Sequence, residues 1–117
     1  MKRDLNLMRQ ILLDLEKKGS YTNWLDVDIE QYSPEQMDYH LELLMEAGLI
    51  RTRSADRELP RWYPVRLTWE AHEFLDAARD ERRWQKVNDL IAQVGDVPFE
   101  TVRVALLGMV KQEIDGE

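Results

Sequence analysis

The stretch from Ser33 to Gly48 constrains the fold more than any other part of the chain. Ser33-Pro34-Glu35-Gln36 puts a hydroxyl at the N-cap, a proline at the first helical position and a glutamine at the third. That is a capping box, which satisfies two of the amide groups every helix start leaves unpaired. Tyr32 and Met37 occupy the two positions of a hydrophobic staple. Met37, Leu41, Leu44 and Met45 then recur at helical spacing to Ala47, and Gly48 supplies a C-terminal stop. A helix closed so firmly at both ends has an apolar stripe that neighbouring elements must cover.

Those neighbours can be read on either side. Residues 4–18 form a helix with Leu5, Met8, Ile11, Leu12 and Leu15 on one face, ending in Lys17-Lys18-Gly19. Residues 20–32 are irregular, with a short strand at 25–29 whose alternation separates Leu25, Val27 and Ile29 from two acids. After the capped helix, Leu49-Ile50 begins a strand, residues 54–60 carry turn formers, and residues 62–67 read as a second strand. Thr68 caps a further helix with Ala71, Phe74, Leu75 and Ala78 as its stripe, which resumes with Trp84, Val87, Leu90, Ile91 and Val94. Gly95-Asp96 breaks it. Pro98 opens a last helix carrying Phe99, Val102, Leu106, Val110 and Ile114, a stripe suited either to finishing the core or to a dimer seam. Trp69 and Trp84 read as core residues, because a buried tryptophan dominates local packing.

The expected class is therefore α+β and mostly helical. The layout is that of a winged-helix-like domain with a shortened helix-turn-helix, a two-stranded wing and extra C-terminal helices. The second helix of the helix-turn-helix shrinks to a turn near Ile29-Glu30-Gln31. An α+β domain without a wing is the alternative. At 117 residues the chain suits one domain, with 2–67 as the winged-helix core and 68–117 as C-terminal helices.

The charge pattern bears on function. The net charge is −7, which favours solubility and disfavours nucleic acid. Its distribution is uneven. Residues 19–50 hold seven acids and neither lysine nor arginine, whereas residues 51–66 hold five arginines against Asp56 and Glu58. At about 100° per residue, Glu35, Asp38, Tyr39, Glu42 and Glu46 share one face of the capped helix, opposite Met37, His40, Leu41, Leu44 and Met45. A groove-reading helix carries Arg, Lys, Asn or Gln on that face. Each carboxylate about 7 Å from a phosphate costs roughly 0.6 kcal/mol even in water, and four cost about 2–4 kcal/mol when partly desolvated. Specific recognition exceeds non-specific binding by only about 4–10 kcal/mol.

Two functional expectations follow. The first is a non-enzymatic module that binds a protein partner, of basic character, through Glu35, Asp38, Tyr39, Glu42 and Glu46. The alternative is a DNA-binding regulator using the wing residues Arg51, Arg53, Arg57, Arg61 and Arg66, with Trp62 and Tyr63 among them. These arginines could equally pair with the acidic helix. A homodimer through the C-terminal helices is a further possibility of partner.

Other chemistry finds little support. His40 falls on an apolar helix face, where a hydrogen-bonded core role outweighs a ligand role. His72 with Glu70, Glu73 and Asp76 offers ligand types, but not the three or four convergent ligands of a zinc site. No glycine-rich phosphate loop or nucleophile elbow is present, so neither catalysis nor a cofactor is expected. The chain has no cysteine and no apolar run of membrane-spanning length, and its start does not read as a signal peptide. A cytoplasmic protein is the expectation.

The string Tyr32-Ser33-Pro34-Glu35-Gln36-Met37-Asp38-Tyr39-His40-Leu41, continued by Leu44-Met45-Glu46-Ala47-Gly48-Leu49-Ile50, resembles the recognition-helix-to-wing segment of winged-helix regulators. More narrowly, Arg66-Leu67-Thr68-Trp69-Glu70-Ala71-His72-Glu73-Phe74-Leu75-Asp76-Ala77, with Arg79-Asp80 and Trp84, resembles an uncharacterised family of small bacterial and phage proteins, the DUF2513-like domain of unknown function. The resemblance covers roughly residues 2–94 and fades over the last twenty or so. Where that family often has glycine this chain has Ala71, the better helix former. The resemblance implies a winged-helix-like fold and a bacterial or phage origin, and no activity.

Overall fold

The computed structural model describes residues 1–20, 29–52 and 65–116. In chain order the elements are α1 (Leu5–Lys18), α2 (Pro34–Glu46), β1 (Ile50–Thr52), β2 (Val65–Leu67), α3 (Trp69–Ala78), α4 (Glu81–Val94) and α5 (Phe99–Asp115). The protein is α+β and mostly helical, with one small antiparallel sheet among the described residues. It divides into two compact units, Met1–His72 and Glu73–Glu117, with the boundary inside α3.

The first unit is built on α1, α2 and the β1–β2 ladder. Asp4 is the N-cap of α1 rather than its first helical residue: its Oδ1 accepts from the amides of Asn6 at 2.9 Å and Leu7 at 3.2 Å. Leu7, Ile11, Leu12 and Leu15 are fully buried. The capping box of α2 forms as the sequence predicts. The Gln36 amide donates to Ser33 Oγ at 3.1 Å, and the Ser33 amide donates to Gln36 Oε1 at 2.9 Å. Gly48 follows with φ +76°, a left-handed conformation that strains any residue with a Cβ, and this turns the chain into β1.

In the ladder, Ile50 faces Leu67, Arg51 faces Arg66 and Thr52 faces Val65. Ile50, Val65 and Leu67 are buried and both arginines are exposed, the alternation expected of strands with one covered face. Thr68 then closes the hairpin onto the next helix. Its hydroxyl donates to the Gly48 carbonyl at 2.7 Å and accepts from the Ala71 amide at 3.3 Å.

Before α2, residues 30 and 31 form a turn, and Gln31 has φ +77°. A side chain rarely adopts that conformation. The strand expected at 25–29 lies outside the described residues except for Ile29, which is in no strand.

In the second unit, Phe74 stacks edge-to-face on Trp84 (centroids 6.2 Å apart) and tilts against Phe99 at 5.2 Å. Val87, Val102 and Leu106 are buried beside them. Asp80 caps α4 through the amides of Arg82 and Arg83. These hydrogen bonds, chiefly the one from Arg83, hold its carboxyl below the ordinary carboxylate value, with the nearby arginine charges adding to the effect. Trp69 is not a core residue: it is 75% exposed. It sits at the first position of α3, about 160° around the helix from buried Ala71.

Candidate functional site

The rotation of α2 decides which residues face outward, and its buried side is Met37, His40, Leu41 and Leu44, of which His40 alone is polar. The ring is fully buried. Its Nε2 accepts from the Asp4 amide at 2.8 Å, and its Nδ1 lies 2.7 Å from the Gln36 carbonyl oxygen. The amide can only donate and the carbonyl can only accept, so the ring is neutral with its proton on Nδ1. The Tyr32 hydroxyl donates to Asp4 Oδ2 at 3.2 Å. Burial raises the Tyr32 pKa above 10.0, and the charge and hydrogen bond of the Asp4 carboxylate raise it further. Asp4 thus caps α1, receives Tyr32 and binds His40, pinning the start of α1 to α2.

With α2 held this way, Glu35, Asp38 and Glu46 are exposed, while Tyr39 and Glu42 are half-buried. The Tyr39 ring stands edge-on to the His40 ring, 5.7 Å away. Asp38 and Glu42 each engage another group of the chain. The five residues therefore lie on one side of α2, three of them open to solvent.

The hairpin presents a second surface. Arg51 and Arg66 are directly opposite across the ladder, both on its exposed face. Among the described residues neither forms a salt bridge; Arg66 donates one hydrogen bond, to the Leu67 carbonyl at 3.0 Å. Like charges directly opposed on a ladder are destabilising. Arg53, Arg57 and Arg61, with Trp62 and Tyr63, lie outside the described residues.

His72 stands apart from both surfaces: its Nδ1 lies 3.8 Å from Glu16 Oε2, a long contact for an ion pair. Glu70, Glu73 and Asp76 are exposed. Among the described residues no three histidine or carboxylate side chains are grouped to hold a metal ion.

Two connecting residues, Asp4 and Arg83, stand out only in the structure. Arg83 Nε donates to the Ala77 carbonyl at 2.8 Å and its guanidinium to the Asp76 carbonyl at 3.3 Å, while Nη1 donates to Glu113 Oε2 at 2.6 Å. One side chain at the start of α4 so reaches both the end of α3 and α5. The sequence marks the start of α4 by Asp80, an N-cap type, but nothing in it marks the reach of the Arg83 guanidinium.

A family model described as "Hypothetical protein (DUF2513)" matches residues 2–96. The chain belongs to that family. It is also 35% identical over 94 residues to an uncharacterized protein of Haemophilus influenzae, covering 78% of this chain and 79% of the relative. No solved structure matches the chain. The matched residues take in the α2 face, the hairpin and α4, and stop short of α5. No helix among the described residues is long and apolar enough to cross a membrane.

Proposed function

We propose that this DUF2513 protein is a cytoplasmic, non-enzymatic interaction module on a winged-helix-like scaffold, and that it docks a basic protein partner on the outer face of α2. One observation carries the reading: Glu35, Asp38 and Glu46 stand exposed on one side of a helix whose buried side includes His40, in a stretch from 19 to 50 without a single Lys or Arg. Opposed charge would steer such a partner and fix its register. Tyr39, half-buried beside the carboxylates, adds an aromatic contact of the kind interfaces favour. The test is affinity capture with quantitative comparison of the wild type, Glu35→Lys/Glu46→Lys and a control reversal elsewhere, Asp89→Lys. A partner lost from the α2 variant and kept by the control supports the reading. Identical partners in all three sink it.

A second reading has an observation of its own. The opposed arginines Arg51 and Arg66 would gain from an anion placed between them, as a DNA phosphate would be. Titration of labelled random duplex DNA at about 50 and 200 mM salt separates the two readings, since several phosphate contacts weaken binding at least tenfold over that range. That result, abolished in Arg51→Ala/Arg66→Ala, would put the hairpin first. Absence of binding at the lower salt leaves the α2 face.

A further inference from the structure

The last helix has two apolar stripes, and only one is used. Val102 and Leu106 are buried, so the stripe expected as core or seam is chiefly core. The other stripe is Glu100, Val104, Leu107, Lys111 and Ile114, spaced 4, 3, 4 and 3 residues apart. That is a heptad seam. It is open along its length: Val104 is 59% exposed, Leu107 45% and Ile114 74%, while Glu100 and Lys111 are exposed at the layers between.

The order of Glu100, Val104, Leu107 and Lys111 is its own complement when reversed. In an antiparallel pairing of two α5 helices centred between Val104 and Leu107, Val104 meets the second copy's Leu107 and Glu100 meets its Lys111. The same contacts repeat across the two-fold axis, and Ile114 falls opposite Val97, just before the start of the other helix. Each apolar layer meets an apolar layer and each acid meets a base. A parallel pairing would oppose Glu100 to Glu100 and Lys111 to Lys111. We infer that α5 is a homodimerisation helix and that a second copy of this chain packs antiparallel on the Glu100–Val104–Leu107–Lys111 face. A charged residue within such a seam specifies register at some cost in stability. Gly108 borders the seam, and a Cβ there would meet nothing within 4 Å, so the backbone is open to close approach. The contact of Glu100 with Arg103 is 3.8 Å long and solvent-exposed, too weak to withhold Glu100 from a partner. This surface shares no residue with the α2 face, so the two proposals stand or fall separately.

The 17-residue helix is about 25 Å long, and a single helix pair of that length lies below the usual area of a stable interface. A dimer that dissociates in the micromolar range is expected. Sedimentation equilibrium on the full chain, from about 5 µM to 1 mM, reads it. Glu100→Lys and Lys111→Glu each turn two attractive pairs into two repulsive ones, and each should weaken the dimer about tenfold. An equimolar mixture of the two variants restores both pairs and should dimerise like the wild type. A wild type monomeric throughout that range overturns the inference, and so do single variants that dimerise unchanged.

Discussion

Replacing His40 by leucine tests how α2 is held. Leucine is chosen over alanine because it nearly preserves volume, so the loss of hydrogen bonds is not confounded by a cavity. In the wild type the Asp4 amide donates to His40 Nε2 at 2.8 Å, and that acceptor disappears. An amide left unsatisfied away from water costs about 1–3 kcal/mol. The Gln36 carbonyl loses the Nδ1 donor but keeps its place in the helical ladder, so its share is smaller. The expected destabilisation is about 2 kcal/mol, a substantial part of the 5–15 kcal/mol typical of a domain. Urea unfolding followed by far-UV circular dichroism should show a lower midpoint at unchanged slope. Hydrogen exchange should quicken at the Asp4 amide. A His40→Leu protein as stable as the wild type, with Asp4 exchange unaltered, would refute the claim that this ring helps hold α2.

Thr68→Val removes the hydroxyl that joins Gly48 to the start of α3, and should cost about 1–2 kcal/mol in the same urea assay. Arg83→Ala strips donors from the Ala77 and Asp76 carbonyls and should destabilise by about 2–3 kcal/mol. Glu113→Gln, which breaks only the solvent-screened pair, should stay within about 0.5 kcal/mol, and equal losses in the two variants would contradict this division. The Asp80 carboxyl is held below its ordinary 3.8, so its stabilising effect is present above that pH and is lost as pH falls through the lower folded value. Asp80→Asn lacks this titration, and the difference in urea midpoint between it and the wild type should hold above pH 3.8 and narrow as the pH falls below it. Tyr32 is the opposite case: its raised pKa stabilises the fold below pH 10.0 and the benefit fades at higher pH, so Tyr32→Phe should flatten the alkaline limb of a pH–stability curve.

The parts of the fold legible in the sequence were those settled by local chemistry. The capping box of α2 needs only Ser33 and Gln36, three residues apart, and Gly48 ends the helix by its own conformational freedom. What escaped was set by residues distant in sequence. The donor that His40 accepts from lies 36 positions away, and the carboxylate that Tyr32 reaches lies 28 away. No periodicity reports such pairs. The acidic face and the arginines were visible as composition, but that Arg51 and Arg66 are cross-strand partners depends on the strand register, which composition does not set.

Trp69 and α5 show a different kind of difficulty, because the pattern was there and residue type outweighed it. The 3.6-residue period places Trp69 opposite Ala71, and the size of an indole argued for burial instead. In α5 the apolar residues exceed what one stripe can hold. Val102 and Leu106 define a buried line, and Val104 and Leu107 cannot join it, being displaced around the helix by about 160° and 100° from the nearer of those two residues. A helix apolar on two sides must cover both or leave one in water. Within the second unit only the first line is covered. The two charges that flank its Val104–Leu107 centre, Glu100 and Lys111, fall at positions related by reversal, as a surface meeting a copy of itself requires and an ordinary solvated face does not.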